Sequence, residues 1–321
     1  MLFLANYQIS HANIVVEDVW PITTPQNISE LIQIESRLQK LLPESQKALV
    51  AIEAIDGAGS GVIISEDGLV LTAAHVIGET GKKMHVRLPN GQKLPAISLG
   101  GSEISDAGML KITKKGKWPF AQIASKGDSE IGDWCFAIGH PGGFEKDRGI
   151  VVRLGRVIAK SEETLQSDSR LLGGDSGGPL FDFHGKVIAI HSRISHQPDQ
   201  NFHVPIECFH TNWNFYRNGE ILTFDKLEKG GFLGVACEST NFGLKVLSVV
   251  EGSAAEKAGI MKGDFLISID GEKLDSREEL TILISSKNSE DPVILEYHRN
   301  DKQISIQVNL GLRAQVEKEH P

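Results

Sequence analysis

Three short segments of this chain carry the side chains that nucleophilic catalysis by a serine requires. Residues 173–180 read GGDSGGPL and place Ser176 among glycines, which let the backbone bend closely around one hydroxyl. His75 follows the apolar run 69–73, and Asp106 precedes another apolar run. Because histidine, aspartate, then serine is one of the known chain orders of a catalytic triad, these segments predict acyl-transfer chemistry.

Each of the three side chains has one expected task. The Ser176 hydroxyl would attack a carbonyl carbon, but it is a poor nucleophile until a base removes its proton. We expect His75 to be that base and Asp106 to accept the Nδ1–H of its imidazole. The backbone N–H groups of Gly174 and Ser176 are expected to form the oxyanion hole. Taken singly, these residues would more readily be explained as a turn or as structural residues, and only their combination favours catalysis.

Composition narrows the classes of function. The 321 residues suffice for about two domains, and 40% of them are apolar, which suits packed soluble cores. A net charge of −9 argues against a nucleic-acid partner, which would require basic clusters. Cys135, Cys208 and Cys237 are scattered, which excludes a disulfide-rich scaffold, and neither they nor the 11 histidines have metal-ligand spacing. We therefore expect no metal and no cofactor.

The sequence does not indicate the cellular compartment of the protein. No stretch of about 18 apolar residues is present to form a membrane-spanning helix. Residues 1–5 are apolar but lack a basic flank and are too short for a signal peptide. The residues alone leave the compartment open.

Short β-rich runs broken by glycine turns fill the chain between residues 48 and 205, which predicts an antiparallel barrel or sandwich. An extended arm over 1–27 and an amphipathic helix over 28–42, ended by Pro43, precede them. That helix could pack on its own domain or contact another subunit. A helix over 206–216 and a linker over 218–229 are predicted to follow. The candidate strands are 48–54, 61–65, 69–73, 84–88, 109–113, 134–138, 153–159, 179–182 and 186–192.

A second compact region begins near Gly230. Two capping boxes, starting at Ser253 and Ser276, predict short helices, and Gly259 is expected to close the first. The runs 264–269, 292–297 and 304–308 are predicted strands.

Together these motifs resemble the chymotrypsin-like serine proteases, and more closely their HtrA/Deg branch. Within 59–75 the run GSGVIIS and the strand leading into His75 match that branch, as do AIGHP at 137–141 and FHVP at 202–205. From residue 231 onwards, GFLGV, GSAAEKAGI (252–260) and GDFLISIDG (263–271) resemble a PDZ domain. The resemblance covers about residues 45–310.

The resemblance implies a mostly β fold, in which a two-barrel chymotrypsin-like protease domain is followed by a small α+β PDZ domain. The expected divisions are an N-terminal arm and helix (1–44), the protease domain (45–217), a linker (218–229), the PDZ domain (230–312) and a tail (313–321). The implied activity is a serine endopeptidase acting on unfolded or damaged proteins. Homotrimers and a periplasmic or cell-envelope location are also typical of the family.

The resemblance also implies two binding sites. Leu171 and Ile194 should line the pocket for the residue before the scissile bond, which favours small or medium apolar residues, although an inward-turned Arg170 would favour acidic ones. In the PDZ domain, amides around Leu233, Gly234 and Val235 should hold a peptide's terminal carboxylate. Leu280 and Ile284 should line the groove, and Ile284 suits the domain core equally well.

Several positions depart from the family pattern. Asp175 stands where the HtrA branch usually has asparagine, so if buried it requires a cation, for which Arg148, Arg153 and Arg170 are candidates. Gly173 stands in place of a frequent proline, and HSR at 191–193 replaces a more usual Asn-Thr-Ala. Two alternatives to a constitutive protease therefore stay open: a non-catalytic chaperone or peptide-binding scaffold, and a protease activated by peptide.

Overall fold

A computed structural model describes residues 24–54, 57–194 and 200–313 of the protein. It contains two closed six-stranded barrels followed by a smaller sheet, which confirms the predicted fold class. Most of the predicted N-terminal arm and all but the first residue of the predicted tail lie outside the described residues. No described helix combines the length and the apolar composition that a membrane span needs.

The first barrel is closed by pairing between β5 and β6 and between β1 and β4, and all its ladders are antiparallel. Its interior is filled by aliphatic side chains such as Val50, Ile52 and Leu94, all fully buried. A single helical turn, α2 (Ala74–Ile77), follows the third strand and carries His75. The strands are β1 (Leu49–Ala54), β2 (Gly57–Ile63), β3 (Leu69–Ala73), β4 (Lys83–Arg87), β5 (Lys93–Ser102) and β6 (Ala107–Ile112).

The second barrel closes in the order β7-β8-β9-β12-β11-β10. Phe136 and Phe181 stack in its core with ring centroids 5.1 Å apart. The nucleophile segment 173–178 lies in the connection between its third and fourth strands. The strands are β7 (Trp134–Gly139), β8 (Val151–Lys160), β9 (Leu165–Ser167), β10 (Pro179–Asp182), β11 (Val187–Ile194) and β12 (Asn201–Pro205).

The N-terminal helix α1 (Ile28–Ala48) is longer than predicted. Asn27 caps it by accepting from the Glu30 amide, but Pro43 lies inside the helix instead of ending it. A proline there removes one helical hydrogen bond. The helix continues because Ala48 and the apolar face around Ile34 pack against a barrel core, so tertiary burial outweighs the local preference.

The segment between the second barrel and the small domain is ordered. The helix predicted over 206–216 is present as two short helices, α3 (Ile206–Thr211) and α4 (Trp213–Arg217). The predicted linker contains β13 (Ile221–Leu222) and α5 (Phe224–Lys229). Because β13 pairs in parallel with β5, this segment is attached to the first barrel.

The small domain is built on a sheet of order β15-β16-β17-β19-β20, with β15 at one edge. Both predicted capping boxes are confirmed, because Ser253 accepts from the Glu256 amide and Ser276 from the Glu279 amide. Helix α7 lies beside β15. The elements are β14 (Gly231–Phe232), β15 (Val235–Thr240), β16 (Gly243–Val249), α6 (Ala254–Lys257), β17 (Phe265–Ile269), β18 (Glu272–Lys273), α7 (Arg277–Ser285), β19 (Pro292–Arg299), β20 (Lys302–Asn309) and β21 (Gly311–Leu312).

Candidate active site

His75 and Asp106 meet at the edge of the first barrel, where β3 ends and β6 begins. The Nδ1 atom of His75 lies 2.9 and 3.0 Å from the two carboxylate oxygens of Asp106. Since a carboxylate can only accept, Nδ1 carries the proton and Nε2 is left as the acceptor. The hydrogen bond to Asp106 is the main cause that raises the pKa of His75 above its usual value, although burial opposes it.

The backbone fixes Asp106 in an uncommon conformation. Its φ is 62°, in the left-handed region, and its carbonyl accepts from the Ala74 amide at 2.9 Å. Its Oδ1 also accepts from the His75 amide. Burial would raise the pKa of Asp106, but hydrogen bonds from His75 and Ser192 hold it below its usual value.

Ser192 is a site residue that the sequence motifs did not identify. Its hydroxyl donates to Oδ2 of Asp106 at 2.6 Å, and its carbonyl accepts from the Ser176 hydroxyl at 3.2 Å. Ser192 lies in β11, so the second barrel orients a carboxylate that the first barrel supplies. The sequence marks 191–193 as a departure from the family pattern, but it does not show that the Ser192 hydroxyl reaches Asp106.

The Ser176 hydroxyl does not hydrogen-bond to His75 within the described residues, because its proton is directed at the Ser192 carbonyl. The structure therefore brings His75 and Asp106 into contact, and the Ser176 hydroxyl bonds to the Ser192 carbonyl instead of to His75. Long or misaligned nucleophile–base hydrogen bonds are common in sites without substrate.

Ser60, in β2, connects the nucleophile segment to the first barrel. Its amide donates to the Ser176 carbonyl at 2.8 Å, and its hydroxyl donates to the Gly174 carbonyl at 2.8 Å. The neighbouring Gly177 has a φ of 85°, and a Cβ there would collide with Thr72 and with the Ser60 carbonyl. Hence only glycine lets the nucleophile loop approach the first barrel this closely.

The amides expected to form the oxyanion hole are unoccupied by protein acceptors. The carbonyl of Gly173 accepts from the Gly142 amide at 2.7 Å, so the N–H in the same peptide unit, that of Gly174, points the opposite way. Within the described chain, neither the Gly174 amide nor the Ser176 amide donates a hydrogen bond. Both donors are thus available to an oxygen beside Ser176.

Asp175 is fully buried directly before the nucleophile. Its Oδ2 lies 3.0 Å from Nη1 of Arg153 and accepts from the Leu172 amide at 2.9 Å. Burial raises the pKa of Asp175, and the Leu172 amide and the Arg153 guanidinium oppose that rise. Gly139 lies against the carboxylate, where a Cβ would collide with Oδ1.

Of the three arginines predicted as partners of Asp175, the structure selects Arg153. Arg170 is exposed, and Arg148 donates to the Gly143 carbonyl. Arg153 is suitably placed because β8 pairs with β7 in a register that sets Arg153 opposite Ala137, two residues before Gly139. The sequence indicated three candidate arginines, but the register between β7 and β8 that selects Arg153 was not predictable from it.

Three other histidines near the site are buried. His191 and His203 face each other with Nδ1 atoms 3.0 Å apart, and His203 also contacts the Ser167 hydroxyl. Burial lowers the pKa of His203 to about 3 and that of His140 to about 4, and it lowers the pKa of His191 as well. Among these four histidines only His75 has a raised pKa.

The two residues predicted to line the substrate pocket differ in exposure. Leu171 is buried in the core of the second barrel, and its amide donates to Oδ1 of Asn201 at 2.9 Å. Ile194, the last residue of β11, is 55% exposed. Arg170 also points to solvent, so no arginine is turned into the barrel at that position.

In the small domain, the predicted carboxylate-binding loop leaves two amides free. The carbonyls of Leu233 and Gly234 accept from Ala255 and Val250, both at 2.8 Å, while neither residue's own N–H donates within the described chain. Gly234 has a φ of 85°, and a Cβ there would collide with Ser253. Leu280 and Ile284 are buried in the core of this domain.

Comparison with known proteins matches both halves of the chain. A family model of the trypsin-like peptidase domain matches residues 59–190, and one of the PDZ domain matches residues 231–310. A probable periplasmic serine endoprotease, DegP-like, of Chlamydia pneumoniae is 30% identical over 84% of this chain and 58% of its own length. A putative serine protease, HhoA, of Synechocystis is 28% identical over 79% of this chain and 70% of its own.

Solved structures of similar proteins share this fold. The serine endoprotease from Yersinia pestis, 25% identical, superposes with a TM-score of 0.55 over 85% of this chain and 97% of its own. The HtrA-type protease AlgW with tripeptide, 22% identical, shares the fold with a TM-score of 0.57 over 86% of this chain and 97% of its own. The chain spans just over half the length of the DegP-like relatives from Chlamydia, between 53% and 58%.

The contact between Arg153 and buried Asp175 predicts that the effect of replacing Arg153 depends on whether residue 175 is charged. Arg153→Met would leave a buried carboxylate without its cation, which costs about 3–5 kcal/mol. We therefore expect kcat/KM for a peptide substrate to fall about 100-fold or more, with a lower free energy of unfolding in urea. Asp175→Asn removes the need for a cation, so the Arg153→Met/Asp175→Asn double variant should recover to within about tenfold of the parent. An Arg153→Met enzyme with parental kcat/KM would contradict this role.

The hydrogen bond between His75 and Asp106 predicts the acid limb of the pH profile. His75 acts as a base only when neutral, so kcat/KM should rise with pH through the pKa of His75, which lies above the usual 6.5. Asp106→Asn cannot stabilise the imidazolium, so the limb should shift to lower pH while kcat falls. If the acid limb of the kcat/KM profile is not shifted in Asp106→Asn, the limb reports the titration of a group other than His75.

Proposed function

Since this chain belongs to the HtrA-type proteases, in which a trypsin-like peptidase domain precedes a PDZ domain, we propose that it is a serine endopeptidase that degrades unfolded or damaged proteins. The observation that carries the proposal is that Ser192 connects the two halves of the site. Its hydroxyl donates to the Asp106 carboxylate that holds the His75 imidazole, and its carbonyl accepts from the Ser176 hydroxyl, beside which the amides of Gly174 and Ser176 are free.

The reaction follows from the protonation states in this site. Rotation of the Ser176 side chain toward His75 lets Nε2 take the hydroxyl proton while Oγ bonds to the scissile carbonyl carbon. The resulting oxyanion accepts from the amides of Gly174 and Ser176. The imidazolium then gives its proton to the departing amine, and water repeats the sequence to release the acyl group from Ser176. Asp106 stays ionised throughout, because it accepts from His75 and Ser192.

Specificity before the scissile bond is proposed to be aliphatic. Leu171 and Ile194 flank the nucleophile segment and the end of β11, and both are aliphatic. The exposed position of Arg170 supports this preference, because no arginine is directed inward to pair with an acidic side chain.

The PDZ domain is proposed to bind apolar C-terminal peptides. The free amides of Leu233 and Gly234, with that of Val235 next in the chain, suit a terminal carboxylate, and the open edge of β15 suits strand addition. Leu280 and Ile284, both on α7 beside β15, are proposed to form the apolar wall of the groove, and Ile284 suits the domain core equally well. Because apolar C-termini are usually buried in folded proteins, such a domain would favour damaged chains.

Assembly and location are proposed from family resemblance and one surface feature. Ile28, Leu31 and Ile32 lie on one face of α1 and are 75%, 52% and 55% exposed. Such a stripe supports a subunit contact, and the family resemblance is the basis for proposing a homotrimer. Since the DegP-like relatives are named periplasmic, we place the activity in the periplasm or cell envelope.

Casein degradation tests the proposal. The parent chain should degrade casein and should react with a fluorophosphonate at Ser176, because an activated serine is required for both. Ser176→Ala, checked by urea unfolding for an unchanged fold, should do neither. Mass spectrometry of the fragments should find aliphatic residues at the new C-termini.

A different experimental outcome would contradict each part of the proposal. No degradation and no labelling, with or without an added apolar C-terminal peptide, would favour the non-catalytic scaffold. Labelling only when the peptide is present would favour the peptide-activated alternative. Fragments that end mainly in aspartate or glutamate would refute the aliphatic pocket.

A further inference from the structure

The last three residues of β11 form an open strand edge beside the nucleophile. β10 pairs with β11 only as far as Ile190, opposite Pro179. At the next residue, His191, the amide donates to the Gly178 carbonyl and the carbonyl accepts from the Gly177 amide, both at 2.7 Å. Beyond His191, the edge of β11 that faces away from β12 has no backbone partner within the described chain.

A substrate backbone can reach Ser176 along this edge. The Ser192 carbonyl lies 3.2 Å from the Ser176 hydroxyl, so the residue whose carbonyl is attacked lies beside Ser192. Because the nucleophile loop already fills the edge at His191, the residues before the scissile bond are left the direction toward Ile194. When they add there as an antiparallel strand, the second residue before the scissile bond lies opposite Arg193.

Arg193 lies on the outer face of the second barrel at this point. His191 and His203 are paired across β11 and β12 and are both buried, whereas the next pair, Arg193 and Phe202, lies on the outer face. The guanidinium of Arg193 lies 5.2 Å from the centroid of the Phe202 ring, and the residue is exposed. Since residues directly opposite in an antiparallel pair share a face, a side chain at the second residue before the scissile bond lies beside this guanidinium.

The charge of Arg193 is not compensated by the protein. Its guanidinium forms no ion pair and no hydrogen bond with any residue that the structure describes, and its one contact is with the face of the Phe202 ring. By contrast, the nearby Arg153 is paired with buried Asp175. A guanidinium held against an aromatic ring can bind a carboxylate with less loss of side-chain entropy than a freely moving one.

Resting on the proposed endopeptidase function, we infer that Arg193 determines specificity by favouring an acidic side chain at the second residue before the scissile bond. A glutamate or aspartate there places its carboxylate beside the guanidinium, where charge-assisted hydrogen bonds form. The third residue before the scissile bond faces the other side of the added strand, so its charge does not reach Arg193. The preferred segment is therefore an acidic residue followed by the aliphatic residue after which the chain is cut.

The test compares kcat/KM for internally quenched octapeptides that share one aliphatic residue before the scissile bond. Three peptides carry glutamate, glutamine or lysine at the second residue before that bond, and mass spectrometry confirms that all three are cut at the same place. We expect kcat/KM for the glutamate peptide to exceed that for the glutamine peptide about three- to fivefold, and the lysine peptide to have the lowest value, as for an exposed ion pair.

Two controls show whether the preference is electrostatic and confined to one face. Three further peptides carry the same residues at the third position before the bond, and their kcat/KM values should agree within about twofold. Raising the NaCl concentration to about 1 M should shrink the preference for glutamate at the second position, because salt screens exposed charges.

Substitutions at Arg193 locate the preference, and each is measured as a ratio of peptides within one enzyme, so a partial loss of activity does not affect it. Arg193→Gln should reduce the difference between the glutamate and glutamine peptides to less than about twofold. Arg193→Glu should reverse the order, so that the lysine peptide is cleaved best. Arg217→Gln, which removes the same charge from an exposed position on α4, should keep the full preference for glutamate.

The outcomes separate the inference from the function on which it rests. Equal kcat/KM for the three second-position peptides, or a glutamate preference that survives in Arg193→Gln, overturns the role of Arg193 while the endopeptidase function stands. An equal glutamate preference at the third position overturns the strand register. Failure of the parent chain to cleave any peptide and to react with a fluorophosphonate overturns both.

Discussion

The buried contact between Arg153 and Asp175 is the interaction on which the active site depends. Burying a carboxylate is costly, and here Arg153 of the same barrel and the Leu172 amide stabilise Oδ2, while Oδ1 has no donor within the described residues. The contact lies within the segment 174–176, which carries the two free amides, those of Gly174 and Ser176, and the nucleophile. The cation comes from Arg153 of the same barrel, so the pairing of β8 with β7 places it beside Asp175.

Neither barrel is sufficient to build the site. The first supplies His75 and Asp106 from the ends of neighbouring strands, and the second supplies the nucleophile loop. Two serines join them in opposite directions: Ser60 of the first barrel bonds to the backbone of the nucleophile loop, and Ser192 of the second bonds to Asp106. The left-handed backbone of Asp106 is tolerated because its carbonyl accepts from the Ala74 amide and both of its carboxylate oxygens accept hydrogen bonds.

Features of the fold and the site that depend on residues close together in the chain were predictable from the sequence. Features that depend on contacts between distant segments were not. The capping boxes at Ser253 and Ser276 and the glycine run around Ser176 act through residues within a few positions, so they are visible in the chain. The end of α1 was misplaced because burial against a barrel overrides Pro43. β5 was not among the predicted strands, because its LGGS segment lacks β-branched residues and pairs through glycine. Ser60, Ser192 and the choice of Arg153 depend on strand register, which no short motif encodes.

A crystal structure of the chain phosphonylated by diisopropyl fluorophosphate tests most directly whether this loop is held ready for catalysis. The phosphoryl oxygen should lie about 2.7–3.1 Å from the amide nitrogens of both Gly174 and Ser176, with the Gly173 carbonyl still bonded to Gly142 and Asp175 to Arg153. A phosphoryl oxygen directed to solvent, or a Gly173–Gly174 peptide turned so that its carbonyl fills the hole, would contradict the account.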